Sequence, residues 1–374
     1  MTPRSTPLGV VRVVGTGLLG TSVALGLRSQ GVDVLLADPS PTARELACDL
    51  GAGRIDPGPG GLDRPEPELV VVAAPPDVTA AVVLAELAGA PSATVTDVAS
   101  IKAGVLHAVL DGGGDASRYV GGHPMAGRER SGAVAARGDL FLGRPWVICA
   151  GPKAETPRVE LVRALATTLG ADAVDMSPAD HDAAVALVSH MPQVIASLVA
   201  SRLREAPEAS VAIAGQGLRD LTRIAGSDPS LWAKILTGNA APVAAVLADL
   251  RTDLDVVLGA LQALAEEEPQ RAARGARAEV ARTIAAGNTG RDRLPGKHGA
   301  RPTTWQVVTV AIPDEPGALG RVFADIGEAG VNVEELSLEH APGRAVGLLE
   351  IAVLPAARGH LEQALTDRGW LVVG

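Results

Sequence analysis

A glycine-rich turn near the N-terminus constrains the fold of this chain more than any other feature. A β-branched run at residues 10–14, VVRVV, is followed by GTGLLG at 15–20 and then by a helical pattern at 21–29. Strand, G-x-G-x-x-G and helix in that order form the fingerprint of a dinucleotide-binding unit. The glycines permit a tight turn, close approach of backbone to a pyrophosphate, and packing of helix on strand. The residues of this turn predicted to bind the dinucleotide are Gly15, Thr16, Gly17, Leu18, Leu19 and Gly20.

The end of the next predicted strand indicates which dinucleotide binds. Asp38 follows an apolar run at 32–37, where its carboxylate would accept hydrogen bonds from both ribose hydroxyls and repel a 2′-phosphate. NAD is therefore favoured over NADP. A further buried strand at 68–74 ends with Ala74 and Pro75, which we expect at the same edge of the sheet.

Two later strands bring polar side chains to this edge, where open α/β sheets bind their ligands. Ser100 follows a strand at 94–98 and is predicted to lie near the nicotinamide, although it could instead be the N-cap of a helix at 101–110. His123 lies between two glycines and Pro124 in YVGGHPMAG, on a rigid turn. A histidine pKa near 6.5 suits proton transfer at neutral pH. The alternative is an ordinary loop histidine.

From residue 179 the pattern changes from alternating strands and helices to helices alone. Pro192, in SHMPQ at 189–193, is predicted to kink a long apolar helix and to free carbonyls near His190. Such a local inconsistency tends to mark a functional site. His181 and His190 could equally be capping or core histidines. A long helix at 239–267 carries an apolar stripe suited to packing across a dimer.

Asp220 and Arg223 lie on one face of a further predicted helix, three residues apart. They could pair and hold the guanidinium toward a bound carboxylate, or form a plain surface ion pair. Downstream, a Gly-, Arg- and Pro-rich linker precedes about seventy residues with the ferredoxin-like order βαββαβ. The second of these strands is predicted at 331–338 and is followed by a turn at 342–343. The chain is thus predicted to be α/β, with a Rossmann-like sheet, an all-helical region and a small C-terminal module.

Composition excludes several classes of protein. The formal charge of −10 argues against nucleic-acid binding. Two cysteines predict neither a disulfide framework nor a metal cluster, which fits a reducing cytoplasm. Neither an N-terminal apolar segment nor a run of 18 apolar residues is apparent, so no membrane association is expected.

The motifs together resemble the prephenate dehydrogenase family of tyrosine biosynthesis, with a C-terminal ACT domain. The resemblance covers nearly the whole chain and depends on the order and spacing of VVGTGLLGTS, DVASIK, GGHPMAG, SHMPQ and LRDLTRIAGSDPSLW. It implies an NAD-binding domain at 8–178, a helical substrate and dimerisation domain at 179–288, a linker at 289–302 and a regulatory domain at 303–374. A homodimer is expected.

The resemblance also implies a reaction, the NAD-dependent oxidative decarboxylation of prephenate to 4-hydroxyphenylpyruvate. His123 would be the catalytic histidine with Ser100 as its hydrogen-bonding partner, and Arg223, oriented by Asp220, would bind a substrate carboxylate. The remaining predicted substrate-binding residues are Gln193, His190 and Trp232.

Gln193 leaves the substrate open, because many relatives carry a histidine there; arogenate is the alternative. A β-hydroxy-acid dehydrogenase would rely on a lysine in the helical region, where this chain has only Lys234. An NAD-binding sensor without catalysis is a further alternative, which His123 and Arg223 argue against.

The C-terminal module resembles an ACT domain at DEPGAL, residues 314–319. In that signature a glycine at a strand-to-helix turn lets backbone approach a ligand, and the helix N-terminus favours a carboxylate. An amino-acid effector, tyrosine, is therefore predicted, with simple dimerisation as the alternative. The residues predicted to bind the effector are Gly317, Ala318, Leu319 and Asn332.

Overall fold

The computed structural model describes residues 8–58, 61, 65–127, 132–265, 275–294, 305–340 and 345–373. The chain divides into two compact units, Met1–Leu250 and Arg251–Gly374.

An eight-stranded sheet forms the centre of the first unit. Its order is β3-β2-β1-β4-β5-β6-β7-β8, in which the first six strands are parallel and β7 and β8 run the other way. The chain order reverses between β1 and β4, the place where doubly wound sheets open a ligand crevice. The strands are β1 Val11–Val14, β2 Val34–Ala37, β3 Arg54–Ile55, β4 Leu69–Val72, β5 Thr94–Asp97, β6 Tyr119–Pro124, β7 Pro145–Ala150 and β8 Asp172–Asp175.

Helices cover both faces of this sheet, as its continuous apolar strands require. Val23 and Leu165 lie in the core on one face, and Val83 and Val105 lie in the core on the other. The predicted Rossmann-like arrangement is therefore confirmed. The helices are α1 Leu18–Ser29, α2 Pro41–Asp49, α3 Pro76–Gly89, α4 Ala103–Asp111 and α5 Thr156–Thr168.

The chain then becomes helical, as predicted from residue 179 onward. The expected kink before Pro192 takes the form of a π-helical turn, Ala186–His190, in which Met191 N–H donates to the Ala186 carbonyl. The wider turn accommodates a proline ring that would clash with an ordinary helix. The helices are α6 Pro178–Val185, α7 Met191–Arg202, α8 Glu208–Ala212, α9 Gln216–Thr222, α10 Pro229–Gly238, α11 Ala240–Ala265 and α12 Ala276–Arg291.

By length and composition alone, Pro178–Glu205 is apolar enough to cross a membrane. The same segment carries the buried polar side chains of His181, Asp182 and His190. Buried polar groups with partners inside the protein are ordinary for a core helix, so the hydropathy of this segment is weak evidence for a membrane span.

The second unit contains a four-stranded antiparallel sheet in the order β10-β11-β9-β12, packed against two helices. The predicted βαββαβ order is present. The second strand begins at Glu335 rather than at residue 331, and the predicted turn at 342–343 lies outside the described residues. Helix α12 extends into the predicted linker, and 295–302 also lie outside the described residues. The elements are β9 Gln306–Pro313, α13 Ala318–Glu328, β10 Glu335–His340, β11 Val346–Val353, α14 Arg358–Asp367 and β12 Leu371–Val373.

Candidate active site

The glycine turn between β1 and α1 has the geometry that its sequence predicts. Gly15 has φ +100°, and a Cβ there would collide with the Ala73 carbonyl. A Cβ on Gly20 would collide with the Gly15 carbonyl. At Gly17, by contrast, a Cβ would meet nothing within 4 Å. The first and third glycines are thus needed for packing, and the second faces open space at the start of α1, where a phosphate group is favoured.

Asp38 lies beside the glycine turn, directly after the end of β2. Its Oδ2 accepts hydrogen bonds from Thr16 N at 2.7 Å and Thr16 Oγ1 at 3.0 Å, and its Oδ1 accepts from Ser40 N at 2.8 Å. A cavity of about 220 Å³ lies beside Asp38 and is also lined by Arg44. The open space at Gly17, the half-buried carboxylate and this cavity together fit a dinucleotide.

Ala74 and Pro75 follow β4 at the same edge. The hydroxyl of Thr79 donates to both of their carbonyls, at 3.1 Å and 2.9 Å, and Pro75 is the N-cap of α3. The backbone next to the glycine turn is therefore fixed by the helix that follows it.

A buried polar cluster joins β5 to β6. The Lys102 Nζ forms an ion pair with Asp97 and donates to the Gly122 carbonyl at 2.7 Å, while Tyr119 OH donates to Asp97 Oδ2 at 2.7 Å. Burial, followed by the Asp97 charge, raises the pKa of Tyr119 well above its usual value. A Cβ on Gly122 would lie 2.7 Å from the Asp97 carbonyl, so the glycines before His123 are needed for this close packing.

His123, at the end of β6, has another histidine as its partner. Its Nδ1 lies 2.8 Å from His181 Nε2, and His181 Nδ1 lies 2.8 Å from Asp182 Oδ1. Asp182 also accepts from the backbone N–H groups of Lys102 and Ala103, at 2.8 Å and 2.9 Å. Residues of α6 and of the start of α4 are thereby linked to the strand that carries His123.

His123, His181 and Asp182 form a row of hydrogen-bonded side chains, and the pKa values at its two ends are shifted. Burial lowers the pKa of His123 well below the usual value, with further contributions from His181, Lys102 and His190. Burial also opposes ionisation of Asp182, but the hydrogen bonds from His181, Ala103 N and Lys102 N outweigh it and lower the pKa of that carboxyl. Asp182 is therefore a carboxylate at neutral pH and His123 a neutral base.

Two predictions about Ser100 need correction. Helix α4 begins at Ala103 with Lys102 at the N-cap, so Ser100 does not cap it. Within the described ranges no hydrogen bond joins Ser100 to His123, whose Nδ1 is instead next to His181. The loop between β5 and α4 turns two residues later than the sequence pattern suggested.

His190 and Trp232, both predicted to bind the substrate, lie next to each other. Their rings are 6.0 Å apart and nearly perpendicular. Asn239 Nδ2 donates to the Asp182 carbonyl at 2.8 Å and lies 3.1 Å from His190 Nδ1. Because that amide nitrogen donates, His190 Nδ1 accepts and its Nε2 carries the hydrogen. Burial lowers the pKa of His190, against an opposing effect of Asp182.

Gln193 is buried one turn beyond the π-helical segment. Its Oε1 accepts from Ser227 Oγ at 3.3 Å, and its Nε2 donates to Ser197 Oγ at 3.4 Å. Ser227 follows the 3₁₀ turn Arg223–Gly226, whose first residue is exposed. Asp220, also exposed, accepts from Gln216 Nε2 at 2.8 Å.

The predicted effector residues lie at the start of α13 and the approach to β10. Gly317 has φ +85° at the N-cap of α13, a conformation that favours glycine. Ala318 is buried and Leu319 exposed. Asn332 donates to Glu334 Oε1 at 2.9 Å.

Part of the His123 surroundings does not follow from the sequence pattern. Lys102, Tyr119 and Asp182 had no predicted role, and His181 was predicted only as a capping or core histidine. The His-Asp pair at 181–182 was the available signal, since a carboxylate that bonds to one ring nitrogen of a histidine fixes the tautomer and orientation of that ring.

A dinucleotide cradle, the glycine turn at residues 15–20 with Asp38, lies at the switch point of a doubly wound sheet, and a half-buried histidine lies at the end of β6 on the same edge. These features define a dehydrogenase of the Rossmann class. Two family models match this chain: "Prephenate dehydrogenase, nucleotide-binding domain" over residues 23–175 and "Prephenate dehydrogenase, dimerization domain" over residues 177–271. The chain belongs to the prephenate dehydrogenase family, and it is an NAD-dependent oxidoreductase.

Individual relatives agree with this assignment. A probable prephenate dehydrogenase, NovF of Streptomyces niveus, is 35% identical over 96% of this chain and 98% of its own length. The prephenate dehydrogenase of Bacillus subtilis is 27% identical over 91% of each chain. The crystal structure of the A. aeolicus prephenate dehydrogenase with hydroxyphenyl propionate and NAD⁺ has a TM-score of 0.64 and 28% identity. It covers 77% of this chain and 100% of that one.

Proposed function

We propose that this protein oxidises prephenate with NAD, releasing the ring carboxylate as CO₂ and forming 4-hydroxyphenylpyruvate. The observation that carries the proposal is the position of His123. It lies at the carboxyl end of β6, on the same edge of the sheet as the glycine cradle and Asp38. Membership of the prephenate dehydrogenase family supports the substrate.

The residues supply what this chemistry needs. Prephenate is a dianion with a ring hydroxyl, so oxidation at the hydroxyl-bearing carbon needs a base for the proton and a cation for a carboxylate. His123 is the proposed base and Arg223 the proposed carboxylate ligand. The cradle at residues 15–20 and Asp38 would hold NAD, which when bound supplies the hydride acceptor. Loss of CO₂ makes the ring aromatic, so the protein mainly positions and polarises.

The other predicted site residues have proposed roles around the substrate. Ser100 is proposed as a polar contact near the nicotinamide, and Asp220 as the residue that orients Arg223. His190 would present its Nε2–H toward the pocket beside Trp232, which is consistent with the hydrogen bond from Asn239 to its Nδ1.

Arogenate is the second candidate substrate, and Gln193 is the observation that favours it. Arogenate differs from prephenate in the side chain, which carries an amino group. Gln193, held by Ser227 and Ser197, offers an uncharged amide where many relatives are expected to have a histidine.

A panel of substrates tests the proposed function. NADH formation at 340 nm is followed with prephenate, arogenate and 3-hydroxyisobutyrate offered in parallel. We expect turnover of prephenate and none of 3-hydroxyisobutyrate, because Lys234, the one lysine in the sequence of the helical region, is 41% exposed and paired with Asp77 at 3.0 Å. Turnover of arogenate alone would replace prephenate as substrate. Turnover of neither would overturn the proposal.

Arg223→Ala tests the carboxylate contact. A charged contact made in both the ground state and the transition state is expected to raise KM strongly with a smaller change in kcat. An unchanged KM for prephenate would make Arg223 a structural residue only.

We further propose a homodimer formed through the helical region. The matched family model describes this region as a dimerization domain, and Leu187, Val188 and Leu198 are each more than half exposed. Burying such side chains stabilises association. Light scattering should give about twice the 37.9 kDa of one chain; a mass of one chain at micromolar concentration would contradict a dimer.

The C-terminal unit is proposed to be an ACT domain that binds tyrosine and lowers activity. Its βαββαβ order and the turn at Gly317 support this. The test compares full-length enzyme with a truncation after Asn288. Inhibition by tyrosine of the full-length enzyme, and an active but insensitive truncated form, would support regulation. If calorimetry shows that no aromatic amino acid binds the full chain, a purely structural role follows.

A cytoplasmic location is also proposed. Cys48 and Cys149 are both free thiols, as expected in a reducing compartment. Co-fractionation of the native protein with soluble cell contents is the check; recovery in the membrane fraction would contradict it.

A further inference from the structure

We propose that His181 and Asp182 are positioning residues that hold His123 in one tautomer, with hydrogen on Nδ1 and a free lone pair on Nε2 for the hydroxyl proton of the substrate. This inference rests on the proposed role of His123 as the base. Neither His181 nor Asp182 needs to touch the substrate for it to hold.

The direction of the hydrogen bonds follows from Asp182. An ionised carboxylate only accepts, and Asp182 is kept ionised by donors from His181, Ala103 N and Lys102 N. His181 Nδ1, 2.8 Å from Asp182 Oδ1, must therefore be the donor. In a neutral imidazole the other nitrogen, His181 Nε2, is then an acceptor.

The same argument fixes the direction of the hydrogen bond between His181 and His123. Its Nδ1 lies 2.8 Å from His181 Nε2, a separation that requires one hydrogen between the two nitrogens. Since His181 Nε2 accepts, His123 Nδ1 donates. The lone pair of neutral His123 is consequently on Nε2, the nitrogen that is turned away from His181.

Burial makes this arrangement hard to replace with water. His181 is fully buried and Asp182 is 4% exposed. The charged or titratable groups around His181 are His123 from β6, Asp182 from α6, His190 from the π-helical turn, and Lys102 before α4. Asp182 is the one anion that bonds to His181 within the described part of the chain.

The row of side chains also affects the charged form of His123, after this residue has taken the hydroxyl proton of the substrate. His123 then carries a positive charge in a buried place near Lys102, which is unfavourable. A row of hydrogen bonds that ends in the Asp182 carboxylate lowers the cost of that charge. The effect belongs to the chemical step, so it should be visible in kcat rather than in KM.

Two substitutions at residue 181 separate hydrogen bonding from packing. In His181→Gln the side-chain amide can donate to Asp182 and its oxygen can accept from His123, so the direction of the row is kept. His181→Leu fills similar space but provides no acceptor. We expect kcat to fall about 10²-fold in His181→Leu and less than about tenfold in His181→Gln, with similar KM and NAD affinity in both.

Val185→Ala is the packing control. Val185 is buried in the same helix, α6, about one turn beyond His181 and Asp182. Its truncation should lower the unfolding temperature without the large fall in kcat. Equal losses of kcat in the leucine, glutamine and alanine variants would overturn the proposal, because the effect would then be one of packing.

A measurement without turnover reads the tautomer itself. Enzyme labelled with ¹⁵N-histidine has seven histidines, and the His123 signals are those lost in His123→Asn. Wild-type enzyme should show His123 with a protonated Nδ1 and an unprotonated Nε2, and His181→Leu should lose that preference. A wild-type His123 with hydrogen on Nε2 would overturn the inference even if His181→Leu does not fold. If this tautomer is found but prephenate is not oxidised, the proposed function fails and the positioning stands.

Discussion

The two ligand-facing regions of the large sheet, the dinucleotide cradle and the His123 cluster, are built in opposite ways. The cradle consists of neighbouring residues at 15–20 and Asp38, and it offers backbone groups and one half-buried carboxylate. The His123 cluster contains ionisable side chains of β5, β6, α6 and the loop before α4, most of which are buried. Its members are Asp97, Lys102, Tyr119, His123, His181 and Asp182. The cradle therefore suits a charged ligand such as a dinucleotide. The His123 cluster instead suits the binding of a proton at one nitrogen atom.

The difference also predicts where substitutions are tolerated. An exposed or half-buried charge keeps its hydration when a partner is lost, whereas a buried one does not. Changes in the cradle should therefore alter ligand choice, and changes in the cluster should alter stability or turnover.

The largest expected effect is on stability, in Lys102→Met. The side chains of Lys102 and Asp97 are 1% and 0% exposed, so removing the ammonium leaves a buried carboxylate without its cation and the Gly122 carbonyl without this donor. We expect a loss of about 3–5 kcal/mol in the free energy of unfolding by urea.

Arg54→Met is the matched control, because Arg54 and Asp33 form an ion pair at 3.0 Å with both side chains 44% exposed. Its cost should be about 1 kcal/mol or less. Equal costs for the two variants would show that burial does not determine the cost of losing an ion pair in this protein.

His123→Asn should have the next largest effect, and on turnover. Asparagine can still hydrogen-bond a hydroxyl but cannot take its proton. We expect kcat to fall at least about 10²-fold, which is about 2.7 kcal/mol of barrier, with NAD binding retained. Steady-state kinetics and NAD titration by fluorescence measure both; near wild-type kcat would remove His123 from its proposed role.

Asp38→Ser should have a smaller effect, confined to cofactor choice. Removal of the carboxylate relieves repulsion of a 2′-phosphate, so the ratio of kcat/KM for NADP to that for NAD should rise about tenfold or more. Parallel assays with the two cofactors test this. A wild-type enzyme that prefers NADP would contradict the expected role of Asp38.

The smallest expected effect is a shift of the profile of kcat/KM against pH toward lower pH. Because burial lowers the pKa of His123, this base stays neutral at pH values where an ordinary histidine is protonated. Activity through such a base is lost only as pH falls through the lowered pKa. The acid limb of kcat/KM against pH should therefore lie below about 6.5; a limb at or above that value would mean that burial does not lower the pKa of the catalytic base.

The cradle could be predicted from sequence because it is local. Six consecutive residues and one carboxylate carry its geometry, and a packing requirement explains two of its glycines. The βαββαβ order of the C-terminal unit was predictable for a similar reason, since each of its strands and helices carries its own local hydrophobic pattern. The error at the start of β10 arose because Val331 and Val333 pack on the core from outside the strand.

The His123 cluster could be predicted only in part. His123 itself was found from its glycine and proline neighbours, but its partner is 58 residues away, and Asp182 is 80 residues from the Lys102 N–H that it accepts. No local pattern encodes such pairings. Ser100 was expected as the partner only because the family resemblance implied it, and among the described residues it is His181 that lies against His123 Nδ1.

The π-helical turn at Ala186–His190 has a consequence for how this chain can change length. In a regular helix each residue advances the direction of the side chains by about 100°. The π turn, with its bond from Met191 N–H to the Ala186 carbonyl, holds one residue more than an α-helical turn would. The π turn absorbs that extra residue, so Gln193 keeps its direction relative to His181 and Asp182. Deleting one residue there would close the turn and bring the Pro192 ring against a backbone carbonyl of the preceding turn. We therefore expect the chain to tolerate side-chain substitutions at these positions far better than insertions or deletions. The number of residues between the HD and SHMPQ motifs is thus constrained by function as well as by the fold.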